Sequence, residues 1–166
     1  MAAGEQTARD ATPWKQPPLV KVYEAFSAVA AGRVEIVEPG RARVTSSNGS
    51  RVYDVWWDDE ARAFFSSDNG SKWQGYAGYP IVAVLLVLGR LRAEAALLAP
   101  LAGVDWHELN ERFKRRYDEA VSQVLEEVQA AGADAAPISA AAGDVAAQLA
   151  GLRLVRLTGR RRAASG

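Results

Sequence analysis

Residues 33–67, RVEIVEPGRARVTSSNGSRVYDVWWDDEARAFFSS, decide the fold. Arg33–Glu38 alternates apolar and charged residues and stops at Pro39-Gly40, a turn pair. Ala42–Ser47 runs into Asn48-Gly49, a pair that adopts the left-handed conformation of a tight hairpin at little cost. Arg51–Trp57 sets Val52, Asp54 and Trp56 against Arg51, Tyr53, Val55 and Trp57, so both of its faces carry apolar residues. Asp58-Asp59-Glu60 makes the next turn and Ala61–Ser67 returns. Four short segments at this spacing predict a four-stranded antiparallel meander. Successive strand residues point to opposite faces, so adjacent Trp56 and Trp57 lie on different sides of the sheet. One side packs on helices; the other needs a cover, which a partner could supply.

Helical patterns flank this unit. Upstream, Leu19, Val22, Tyr23, Phe26, Val29 and Ala30 share one stripe, and Gly32 follows as a stop signal. Downstream, Pro80 opens an apolar run from Ile81 to about Leu91, with proline where the first helical turn tolerates it. Apolar residues surround this segment, which predicts a buried helix. Pro100–Gly103 is a break. Asp105 and Glu108 form a capping box, after which Trp106, Leu109, Phe113, Tyr117, Val121, Val124, Leu125 and Val128 mark one face of a long amphipathic helix ending at Gly132. The fold class expected is therefore α+β: an N-terminal helix, the meander, the buried helix and the long amphipathic helix. Residues 1–18 read as a disordered segment whose end Trp14 anchors, and 19–132 as a single domain. Residues 133–166 read as an alanine-rich extension, with a loose short helix near 143–150, and a basic tail.

The 166 residues carry 20 basic and 20 acidic side chains, so bulk charge gives no case for a nucleic-acid or membrane partner. Cysteine is absent and His107 is the single histidine, which excludes disulfides and Cys/His zinc sites. No signal-peptide pattern is visible, and the longest apolar stretch, Ile81–Leu88, is far below the roughly 20 residues of a membrane span. A cytoplasmic location is the expectation.

Residues 68–79, DNGSKWQGYAGY, join the last meander strand to the N-terminus of the buried helix. Asn69, Lys72, Trp73, Gln74 and Tyr76 gather donors, acceptors and aromatics there, beside a helix dipole able to assist an anion. Two readings stand: a binding loop, or a structural plug whose tryptophan covers the core. In the second case Trp73→Ala should cost roughly 3–5 kcal/mol.

The stretch 44–88 resembles a SWIM-type zinc finger. The resemblance rests on Val44-Thr45-Ser46-Ser47, Gly49, Tyr53 and Val55, a returning strand, a loop, and Ile81-Val82-Ala83-Val84-Leu85-Leu86. That family has a hairpin followed by a helix, with a Cys-x-Cys pair on the strand and a Cys-x-His pair at the helix start. Here those positions fall at Phe64, Ser66, Gly78 and Pro80, none of which binds zinc as the family does. The resemblance implies a metal-free relative in which the polar loop and aromatics replace the metal, and it points toward DNA-linked or protein-binding roles.

Arg153, Arg156, Arg160, Arg161 and Arg162 close the chain without an acid among them. Such a cluster neutralises phosphates, or simply solubilises a disordered end. Trp57 joins the binding candidates as a sheet aromatic able to stack a base. His107, in a first helical turn, reads as a surface or capping residue, and Asp58-Asp59-Glu60 as a solvated hairpin tip. No catalytic residue, cofactor or metal ligand is nominated. The leading expectation is a non-catalytic binding module for nucleic acid or a nucleic-acid-associated protein complex. The alternatives are a small-molecule or anion-binding protein, or an enzyme, using the 68–79 loop, and a homo-oligomeric structural protein.

Overall fold

The computed structural model describes residues 12–60 and 62–157. Helix α1 spans Leu19–Ala30 and stops where the amides of Ala31 and Gly32 turn back to Ser27 O and Val29 O, Gly32 taking a left-handed φ of 69°. Strands β1 (Val34–Glu38), β2 (Arg41–Thr45), β3 (Val52–Asp58) and β4 (Ala63–Ser66) form the antiparallel meander in sequence order. Val55 pairs with Ala42 and Ser66, and Trp57 with Phe64, which puts this row on the buried side. Helix α2 (Tyr79–Val87) carries Pro80 in its first turn, and Ile81–Leu85 are fully buried between α1 and the sheet. Tyr23 and Phe26 of α1 complete this core; truncating such a side chain to alanine costs about 3–5 kcal/mol. The α+β class and the order of elements are those the sequence predicts.

Three parts differ from expectation. The long amphipathic helix is two helices, α4 (Trp106–Arg112) and α5 (Tyr117–Ala130), after a short α3 (Ala95–Leu98) and a 3₁₀ turn. Between them Lys114 and Arg115 adopt left-handed φ values of 50° and 66°, which breaks the helix while leaving the apolar periodicity intact. The Asp105 side chain does cap α4, accepting from Glu108 N at 3.1 Å.

The alanine-rich stretch forms an 18-residue helix, α6 (Ala135–Leu152), capped by Asp134. Ile138, Ala142, Val145 and Leu149 lie along its buried stripe and belong to the same core as α1 and α2. Alanine contributes little side-chain area but lets helices approach closely, so a weak sequence pattern still packs.

The sheet also has a fifth strand, β5 (Val155–Arg156), parallel to β4. Pro13 bridges Val155, the Trp14 amide donates to Leu154 O, and Trp14 Nε1 donates to Phe64 O at 3.1 Å. Within segment 1–18, residues 12–18 thus lie against the domain, and Pro17 is buried.

Candidate functional site

A polar cleft of about 420 Å³ opens where α1, the meander, the 68–79 loop and α4 meet. Such a volume suits a small ligand, and its walls come from segments far apart in the chain. Its floor is an ion pair. Lys21 and Glu24, one turn apart on α1, bring Nζ within 2.9 Å of Oε2, with only 15% and 6% of the side chains exposed. The second Glu24 oxygen accepts from Asn110 Nδ2 of α4 at 2.9 Å. Burial alone would lower the Lys21 pKa, but the Glu24 carboxylate more than reverses this, with smaller help from Tyr76 and Tyr117. The ammonium therefore titrates above the ordinary lysine range. Its Nζ also sits 5.3 Å from the centre of the Tyr117 ring.

Tyrosines line the walls. Tyr53 of β3 and Tyr79 of α2 meet edge to face, 6.1 Å between centroids. Burial, then the charge of Glu24, pushes the Tyr79 phenol well above its ordinary pKa. Tyr53 is raised by burial, with Arg51 opposing and Asp68 and Glu24 adding to it. These phenols stay neutral and present hydroxyls. His107, Glu111, Lys114, Arg115 and Asn69 stand at the exposed rim, His107 Nε2 lying 3.3 Å from Glu111 Oε1.

Asp68 builds the loop wall. It is 6% exposed and accepts from the hydroxyls of Ser66 and Ser71 and from the Ser71 amide. Ser71 Oγ in turn accepts from Gly78 N at 3.0 Å, and Lys72 N donates to Asp68 O, opening a π-helical turn over Gly70–Gln74. A carboxylate that accepts from several donors holds the loop in place. Of the four positions compared with zinc ligands, Ser66 and Gly78 both lie against Asp68, Phe64 is a core residue, and Pro80 is in the first turn of α2. Among the described residues no cluster of His, Asp and Glu is arranged to hold a metal ion.

The nominated residues separate. Asn69 lines the cleft, while Lys72, Trp73 and Gln74 are exposed on the π-helical turn and are not among its lining. Trp73, expected under the plug reading to cover the core, is 78% exposed; Asp68 does the locking instead. Tyr76 is half-buried, its ring filling the space beside Gly70. Trp57, nominated as an exposed base-stacking aromatic, is buried and stacked on Phe64 at 6.1 Å. The outer sheet face presents Trp56, covered by the Arg41 guanidinium 4.6 Å from its ring. Arg156 lies over Trp14, 4.8 Å from the ring, and Arg153 is exposed at the left-handed end of α6. Arg160, Arg161 and Arg162 lie outside the described residues. In the acidic turn Asp58 accepts from Glu60 N and Asp59 pairs with Arg90.

Sequence reasoning missed Lys21, Glu24, Arg33, Tyr53, Tyr79, Asn110, Lys114 and Arg115 as site residues. The available signal was a charged Lys21/Glu24 pair inside a helix otherwise rich in core residues.

No helix among the described residues is long and apolar enough to cross a membrane. No curated protein and no solved structure matches the chain. A family model described as "Uncharacterised conserved protein UCP014422" matches residues 14–155, which include every element from α1 to α6, the first residue of β5 and every residue of the cleft. The chain belongs to the UCP014422 family.

Proposed function

We propose that the protein binds a small polar molecule in the cleft between α1, α4 and the 68–79 loop. The observation that carries this reading is the buried Lys21–Glu24 pair with Asn110 and two neutral tyrosines facing one cavity. Burying such groups is costly unless they are paired, and their convergence on open space gives a ligand orientation and selectivity. The lysine is held as an ammonium, so it serves as a fixed charge rather than a nucleophile. Binding is the activity this reading assigns to the cleft. The test is a thermal-shift screen of small polar metabolites against the wild type and Asn69→Trp, which places bulk at an exposed rim position. A ligand that raises the melting temperature only in the wild type supports the reading. Equal shifts in both proteins, or none in either, reject it.

A second reading is polyanion binding at the π-helical turn. Trp73 is 78% exposed beside Lys72. A Cβ built at nearby Gly75 would meet the Arg156 guanidinium, and Arg160–Arg162 follow in sequence. An exposed ring with flanking cations suits stacking on single strands. Truncation after Thr158 should weaken oligonucleotide binding measured by fluorescence anisotropy at low salt; no binding by the full chain at low salt removes this reading.

A further inference from the structure

Charges around the cleft are matched unevenly. Its acids are engaged: Glu24 by Lys21 and Asn110, Asp68 by Ser66 and Ser71, Glu111 by His107. Three of its cations lack an acidic partner. Arg33 donates to the Thr45 carbonyl at 2.6 Å and, like Lys114 and Arg115, forms no ion pair among the described residues. Lys114 and Arg115 are also successive left-handed residues bearing side chains, a conformation that carries a cost and collects at ligand clamps. Their backbone amides are fixed to Glu111 O and Asn110 O, so the turn presents two cations from a defined frame.

Deeper in, Asn110 is oriented by its partner. A carboxylate only accepts, so the Asn110 amide nitrogen faces Glu24 and its Oδ1 is left over. That oxygen is buried and has no hydrogen-bond partner.

We propose that the ligand of this cleft is two-ended, with an anionic group, carboxylate or phosphate, at Arg33, Lys114 and Arg115 and a hydrogen-bond donor for Asn110 Oδ1. The proposal rests on the cleft being a ligand site, and specifies what enters it. Arginine forks and a lysine point charge suit either anion.

The experiment is an amide NMR titration with four probes: O-phosphoethanolamine, β-alanine, ethanolamine and acetamide. The first two pair an ammonium donor with a phosphate or a carboxylate, and their relative affinities separate the two anions. Ethanolamine lacks the anion and acetamide lacks charge. At least one anionic probe should saturate shifts at Ser47, Asn69 and Lys114 with at least tenfold higher affinity than ethanolamine. Lys114→Asn/Arg115→Asn, asparagine being tolerant of left-handed backbone, should remove at least that tenfold preference. Raising salt from 50 to 500 mM should weaken the wild-type complex, a readout independent of the variant's folding. If ethanolamine or acetamide binds the cleft as tightly as the anionic probes, the two-ended ligand is wrong and the cleft reading survives. If no probe moves a cleft amide, both fall.

Discussion

Nζ of Lys21 and Oε2 of Glu24 lie 2.9 Å apart, one helical turn from each other and nearly excluded from solvent. Removing one partner of such a pair leaves an uncompensated buried charge. Glu24→Gln should therefore cost about 3 kcal/mol or more in urea denaturation, and Lys21→Met/Glu24→Gln should recover most of the loss. A double variant no more stable than Glu24→Gln would show that the pair does not carry the effect.

Alkaline pH should destabilise the fold. Lys21 and Tyr79 have folded pKa values raised above their unfolded ones, about 10.4 and 10. From pH 10 upward the unfolded chain sheds these protons while the native one keeps them. Their stabilisation is complete below pH 10 and declines above it, by up to about 1.4 kcal/mol per pH unit for each group. Stability that stays level from pH 9.5 to 11 would contradict this assignment.

A β-carbon at Gly78 would stand 2.7 Å from Asp68 Cγ, and closer still to a carboxylate oxygen. The Gly78 backbone is in the ordinary extended region, so space alone requires glycine. Gly78→Ala should cost about 2 kcal/mol through overpacking. Asp68→Ala, which strands the Ser66 and Ser71 donors, should cost about 3 kcal/mol. Unchanged thermal melts for both would mean the loop is held by something else.

Trp73→Ala should alter stability by no more than about 0.5 kcal/mol, as expected for an exposed site. Calorimetry deciding for a loss of several kcal/mol would return the tryptophan to the core.

What the sequence made legible was whatever local chemistry specifies. Leu19–Ala30, the Asn48-Gly49 turn, Pro80 in the first turn of α2 and the Asp105 cap each carry their own signal within a few residues. The break at Lys114 and Arg115 does not, because neither residue is a glycine and the apolar stripe continues across it. Helix α6 was obscured for the opposite reason: alanine reads as neither face until a partner helix is in place. Trp57 was half legible, since alternation separated it from Trp56 without revealing which side is covered. The cleft was hidden because Glu24 and Asn110, 86 positions apart, become a pair only once α4 docks on α1. Asn69 was found because its loop is unusual in composition; Tyr79, the last residue of the same loop, was not singled out from it.

The amide of Arg156 donates to Thr12 O at 2.8 Å, so the two ends of the described chain finish side by side at one edge of the sheet. The order of synthesis is thus incidental to the finished architecture. A short bridge from residue 157 to residue 12, with new ends opened between Asn48 and Gly49, would preserve the packed contacts described here and rearrange only their genetic sequence. The bond between Arg156 and Thr12 thus ties both ends of the described chain into one sheet edge, where a covalent bridge would have little distance to cover.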